Sequence, residues 1–366
     1  MRLALLAFLC ALSLLCAAPQ RKKKEEITQT LQLPKELPSA VVGETRRLTF
    51  HITPLSAKGL LSQQIKDALR AVARESGGET VLHIRAFVAG SGDLRRVRDL
   101  VSESFTDRHQ PLPSLSLIQS GGLPLEGAQV IFEFTAAARK EVNPSGVVFL
   151  SPQPAYSENP TDPLPPLTTK SLASLRQTLK ASGSEPADVV RVSCFFSSLE
   201  NLAASREQVL AEFPKAALNF VQTERAPSRA MAACEAVARL RWNTGTALHM
   251  VNAEGIPAQP GESQAALVAA PHVVLTGSQV SFGYEEKDSR LAFERLNRAL
   301  EQAGASPHDV AYAHYYPLSS GIANQVRKLR AEFFDVNRPP AGSLLIFESL
   351  PSMDAGFAVD VVAIKK

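Results

Sequence analysis

One short motif recurs far down the chain, and its recurrence limits the folds open to it. Gly183-Ser184-Glu185-Pro186-Ala187-Asp188-Val189 matches Gly304-Ala305-Ser306-Pro307-His308-Asp309-Val310 at Gly, Pro, Asp and Val, 121 residues later. Ala211-Glu212-Phe213 returns as Ala331-Glu332-Phe333 at an offset of 120 residues. Self-similarity in a constant register marks repeated structural units. A single unrepeated α/β domain leaves the matching offsets without a cause. Length agrees: a chain of 366 residues exceeds the roughly 250–300 residues at which one hydrophobic core stops growing.

The elements between these motifs follow from local patterning. Ala292, Phe293, Leu296, Ala299, Leu300 and Ala303 recur every three or four residues and predict a helix with one apolar stripe. Gly304 supplies a left-handed C-terminal cap, and Pro307 blocks continuation. Val310 to Tyr316 reads as a strand. A second helix starts at Ser319 or Ser320 and buries Ile322, Val326, Leu329 and Phe333. Leu344 to Phe347 and Phe357 to Ile364 read as closing strands.

An earlier copy runs in the same order: a helix with Leu172, Leu175 and Leu179, a strand Val189 to Phe196, a helix with Leu202, Val209, Leu210 and Phe213, and strands flanking Pro227. A first, more divergent copy has a helix with Leu61, Ile65, Leu69 and Val72, then a strand Val81 to Val88. Its second helix is capped by Asp93 and carries Leu94, Val97, Val101 and Phe105.

The start of the chain is different. Arg2 precedes an apolar run from Leu3 to Cys16, followed by Ala17, Ala18 and the basic cluster Arg21 to Lys24. That layout predicts an export signal over 1–18, too short to span a membrane. A polar linker is expected at 19–42, then units at 43–141, 142–243 and 244–366. Cys10 and Cys16 fall in the signal, which leaves Cys194 and Cys234 on strands of the second unit. No CxxC pair exists, so a zinc site of the usual spacing is excluded. The two remaining thiols are either a buried apolar pair or, in an oxidising compartment, a bridge. With a net charge of +3 and no long charged block beyond that cluster, nothing directs the chain to nucleic acid.

At AGASPHDV (Ala303 to Val310), RAEFFDVNRPPA (Arg330 to Ala341) and FAVDVVAI (Phe357 to Ile364), the third copy resembles the RidA/YjgF family of reactive imine and enamine deaminases, also called L-PSP endoribonuclease-like. Upstream, GESQAALV (Gly261 to Val268) and VVLTGSQV (Val273 to Val280) resemble the family's first two strands. The resemblance implies an α+β, chorismate-mutase-like unit: a mixed sheet with two helices on one face. Family members are trimers with ligand clefts between subunits. Three copies in one chain therefore imply a monomeric pseudo-trimer, and no cofactor.

The resemblance also implies an Arg just after the Pro-Ala that opens the penultimate strand, holding the substrate carboxylate through a planar fork. Here Gly342 follows Pro340-Ala341, and counting back from Pro227 and Pro124 places Leu218 and Leu115 at the same point. All three anchors are missing. Glu133, Glu235 and Asp360 fall where the family keeps an acid in the last strand to handle water and proton. Thr53, Ser151 and Thr276 fall where it keeps a small hydroxyl. With these gaps the deaminase chemistry is expected to be lost, leaving a small-molecule binder or scaffold, and Gly342→Arg is expected to fold. The rival is an active deaminase with a relocated anchor, for which Arg338 and Arg225 lie nearest in sequence. None of the seven histidines stands in a metal-binding spacing, and His314 reads as a packed strand residue.

Overall fold

The computed structural model describes residues 34–365 apart from positions 91 and 258. The expected signal, and the linker up to residue 33, lie outside the described residues. From Pro34 onward the chain forms one unit.

The first region contains β1 (Ala40–Glu44), β2 (Leu48–Ile52), α1 (Leu61–Glu75), β3 (Thr80–Ala89), α2 (Leu94–Asp107), β4 (Ser114–Ser120) and β5 (Val130–Ala137). The second contains β6 (Val147–Leu150), β7 (Ala155–Ser157), α3 (Leu164–Ala181), β8 (Val189–Phe196), α4 (Leu202–Glu212), β9 (Ala217–Gln222) and β10 (Ala230–Arg239). The third contains β11 (Leu248–Val251), β12 (Ala265–Val268), β13 (His272–Thr276), β14 (Gln279–Val280), α5 (Glu286–Ala303), β15 (Val310–Pro317), α6 (Ser320–Phe333), β16 (Ala341–Leu344) and β17 (Phe357–Ile364).

The strands form three mixed sheets with one shared order. These are β2-β5-β3-β4, β6-β10-β8-β9 and β13-β17-β15-β16, in which only the last two strands of each run parallel. Each sheet also breaks register at the same place, beside Leu82, Val190 and Ala311. A shared bulge position twists each sheet alike.

The period-2 alternation of the second strand sorts its residues to two faces. Ile84, Ala86 and Val88 pack under α1 and α2, Val192, Cys194 and Phe196 under α3 and α4, and Ala313 and Tyr315 under α5 and α6. The alternate residues meet at the centre, where Phe87, Phe195, Tyr316 and Phe347 share a cluster. The helices end as their sequences dictate: Asp93 accepts from the Arg95 amide, Ser319 accepts from the Ile322 amide, and Gly304 closes α5 at φ 80°.

Several boundaries differ from the sequence reading. β1 begins inside the expected linker and pairs with β13, so it belongs to the third sheet. Ala265–Val268 pairs with β6 and lies in the second sheet, so the two segments expected as the first strands of the third unit fall in different sheets. Each of these lead-in strands covers a neighbour's edge and buries apolar surface there. β16 spans Ala341–Leu344, where Leu344 to Phe347 was expected. Leu345 and Phe347 leave the sheet edge to pack into the central cluster. Leu210 is turned to solvent, so the apolar face of α4 rests on Val209, with Phe213 just beyond. Cys194 and Cys234 are cross-strand partners joined by a disulfide, with Cα atoms 4.1 Å apart.

Candidate functional site

The three acids singled out by sequence occupy equivalent places. Glu133 stands opposite Arg85, Glu235 opposite Ser193, and Asp360 opposite His314. All three point to the centre, where the sheets meet, and each is at most 2% exposed. Arg85 reaches Glu133 at 2.8 Å from Nε and Glu235 at 2.5 Å from Nη2. Ser193 and Asn219 of the second sheet each donate to Glu133 at 2.6 Å. The third sheet joins through Tyr312, which donates to Glu235 at 3.2 Å, and within that sheet Asp360 binds His314 Nδ1 at 2.7 Å and accepts from the Tyr316 hydroxyl at 2.9 Å.

The electrostatics follow from that packing. Burial alone would raise the carboxyls, but Arg85 and then Arg191 hold Glu133 below the usual range. Glu235 is likewise lowered, with burial opposed by Arg85 and His314. Burial also opposes ionisation of Asp360, yet His314 takes it down to about 2. Burial and Arg85 lower His314, but Asp360 and Glu235 outweigh them and leave it raised. Burial pushes His83 down to about 4. Two guanidiniums and one imidazolium thus balance three carboxylates.

This cluster encloses a cavity of about 20 Å³, lined by Arg85, Arg191, Glu133, His314 and Asp360 among others. That space has room for about one water, and none for an amino-acid-derived substrate. Arg85, Arg191 and His83 were not among the residues singled out from sequence. Their signal was a charged residue in each apolar strand, His83-x-Arg85 and Arg191, with the same alternation as Phe87 and Phe195.

The anchor positions sit elsewhere, at the seams between sheets, as do Thr53 and Ser151, whereas Thr276 lines the central cavity. Leu115, Leu218 and Gly342 are equivalent, standing opposite Ile84, Val192 and Ala313. Thr53 and Leu218 both line a cleft of about 550 Å³ between the first and second sheets. Leu115 lines a larger cleft of about 1070 Å³ between the first and third, where the Ser278 amide donates to the Leu115 carbonyl at 3.1 Å.

The third seam is shut. The Gly342 amide donates to Ser151 Oγ at 2.8 Å, and Ser263 binds the carbonyls of Pro339 and Pro340. The hydroxyls serve backbone: Thr53 accepts from the Phe132 amide at 3.0 Å and Thr276 from the Val361 amide at 2.9 Å. None of the acids Glu133, Glu235 and Asp360 lines either open cleft.

Neither expected replacement anchor is directed at the acids. Arg225 pairs with Glu348 at 3.0 Å on the surface. Arg338 donates to the His308 carbonyl at 2.9 Å. Among the described residues, no helix is long and apolar enough to cross a membrane.

No family model matches the chain, and no curated protein matches it. Solved structures resemble parts of it. One is the Rid-family protein YyfB from Yersinia pestis, 19% identical, with 32% of this chain and 99% of that chain covered at a TM-score of 0.29. A YjgF/YER057c/UK114-family protein from Mycobacterium tuberculosis is 23% identical over 32% of this chain and 98% of its own, with a TM-score of 0.24. A YjgF-family protein from Neisseria meningitidis is 16% identical over 32% and 95%, with a TM-score of 0.24. Several solved structures that resemble about a third of this chain are YjgF or Rid family proteins.

Proposed function

We propose that this chain is an exported, single-chain pseudo-trimer of three RidA/YjgF-like units that has lost imine deaminase chemistry and binds a small molecule in the cleft between its first and third units. The observation that carries the reading is the separation of parts. Leu115 stands in the large cleft at the anchor position, while the acids are locked at the centre in ion pairs. Hydrolysis of an imine needs a carboxylate anchor and an acid or base at one substrate. The one described cavity holding both Arg and these acids has a volume of about 20 Å³, which argues against the relocated-anchor alternative. The shared strand order and bulge position of the three sheets support the three-unit reading. The Cys194–Cys234 bridge fits an oxidising destination.

The cleft itself selects a ligand class. Leu115, Leu117, Val280 and Leu350 give it an apolar floor, and Phe282 and Met353 form an exposed apolar rim. Arg95 and Arg98 stand at the mouth. A ligand with an aromatic or aliphatic body is favoured over a small amino-acid-derived anion. The test is a thermal-shift screen of aromatic and aliphatic compounds on the chain from residue 34 onward. Hits should lose their shift in Leu115→Asp, which charges the partly buried floor of the cleft. Hits that keep their full shift in that variant, or a library with none, would count against the cleft as a binding site.

A further inference from the structure

We propose that the central cavity is a built site for one water molecule, and that this water exchanges with solvent through a single door at Phe50. Arg191 is 8% exposed, its Nε has no hydrogen-bond partner among the described residues, and its Nη atoms stand 3.9 Å from Glu133 and 3.8 Å from Glu235. His314 Nε2 is also without a hydrogen-bond partner, 3.5 Å from Glu235. A buried guanidinium left this way is costly, and polar gaps of this length are commonly bridged by water. The cavity of about 20 Å³ that Arg191 and His314 line is large enough for one. The water accepts from the Arg191 and His314 N–H groups and donates to a lining carboxylate, Glu133 or Asp360. Because the surrounding charges already balance, a neutral occupant fits better than a halide.

The door follows from comparing equivalent residues. Phe50, Phe149 and Leu275 line this cavity from the first strand of each sheet. They stand opposite Thr135, Val237 and Val362, each two residues past an acid of the cluster. Leu275 is backed by Val41 of β1, and Phe149 by Ala266 of β12. Phe50 has no such strand outside it. The connection between β5 and β6 is short, and Val142 and Asn143 bond back to the Arg46 carbonyl. The space beside Phe50 is a surface groove of about 400 Å³, lined by Thr49, His51, Val190 and Lys215 among others. Phe50 thus lines both the central cavity and this groove, with the Arg191 guanidinium 5.6 Å from its ring centre.

Two measurements on the chain from residue 34 onward test this. A crystal structure at atomic resolution should show one density peak within hydrogen-bond distance of Arg191 Nε. An empty cavity would overturn the site, and so would a bromide peak there after a soak, which would make it an anion site. Magnetic relaxation dispersion of water oxygen should report one long-lived water, whose residence time shortens about tenfold or more in Phe50→Ala through easier local opening. Phe149→Ala removes a comparable ring but keeps its backing strand, and should change the time by less than about threefold. Equal acceleration in the two variants would overturn the door.

Discussion

Arg85 and Glu235 meet across the seam between the first and second sheets, Nη2 to Oε1 at 2.5 Å, with both side chains 2% exposed. The same guanidinium holds Glu133 of its own sheet. Removing the cation leaves two carboxylates buried without it, and breaking a buried pair this way costs about 3–5 kcal/mol. Arg85→Met should therefore lower the urea midpoint strongly. Adding Glu235→Gln alone should recover much of the loss, because Arg191 and His314 then again balance Glu133 and Asp360. A double variant that is less stable than Arg85→Met alone would place the cost in packing instead.

The cluster sets a pH window. The carboxylates have lowered folded pKa values, so their stabilisation is complete above the unfolded values near 4.5 for Glu and 3.8 for Asp. It is lost as pH falls toward about 2, the Asp360 value. His314 is raised above 6.5, so its contribution is complete below that and is lost as pH climbs through the raised value. Burial holds His83 at about 4, so below 6.5 its proton favours the unfolded chain, and melting temperature should climb from about pH 4 to 6.5 before the alkaline limb sets in. His314→Asn should flatten the alkaline limb selectively. An unchanged alkaline limb in that variant would remove His314 from the account.

Hydrolysis of 2-iminopropanoate-type substrates should be negligible, measured by following the loss of a freshly generated imine. Truncating a partner of a buried charged hydrogen bond costs about 2–5 kcal/mol, and here the anchor is absent at Leu115, Leu218 and Gly342 alike. Turnover at rates typical of an imine deaminase would overturn the proposed loss of that chemistry.

Gly342→Arg, expected from sequence to fold well, should instead destabilise the chain. A Cβ at Gly342 would stand 2.7 Å from the Ala313 carbonyl oxygen and 3.1 Å from Tyr315, on a strand bonded to Ser151. Crowding of this kind costs about 1–3 kcal/mol. Leu115→Arg faces the large cleft and should fold with a melting temperature close to wild type. A Gly342→Arg melting temperature equal to that of Leu115→Arg would show that the backbone yields freely.

The Cys194–Cys234 bridge closes a loop with a sequence separation of 40 and lies beneath α3. On the chain-entropy argument its loss costs about 4 kcal/mol as an upper figure. Reduction should lower the melting temperature and raise amide exchange in β8 and β10 more than in β3 or β15. Uniform exchange across the three sheets would mean that the second unit does not open alone.

Much of the fold was legible in the sequence because its cues are local. The apolar stripe of α5, the Asp93 and Ser319 caps and the positive φ of Gly304 are each decided within one turn. The equivalence of Leu115, Leu218 and Gly342 was legible too, since proline spacing carries register. The partners of β1 and β12 were not, because strand pairing between distant segments leaves no local mark. The fate of Glu133, Glu235 and Asp360 was hidden for the same reason. An acid in a strand reads alike whether it faces a cleft or an arginine from another sheet, and Arg85 finds Glu235 across 150 residues. The crowding at Gly342 depends on the Ala313 carbonyl, which strand periodicity does not locate.

β1 and β17 flank the same strand, β13, on its two sides. Both neighbours run antiparallel to β13, so β1 and β17 run parallel to each other about two strand spacings of 4.8 Å apart, with Gly43 and Ile364 facing Val273 from its two sides. β1, among the first of the described residues to be made, thus finds its partner only when β13 follows far down the chain. The third sheet is complete only after the last strand, and the described body closes across its own beginning.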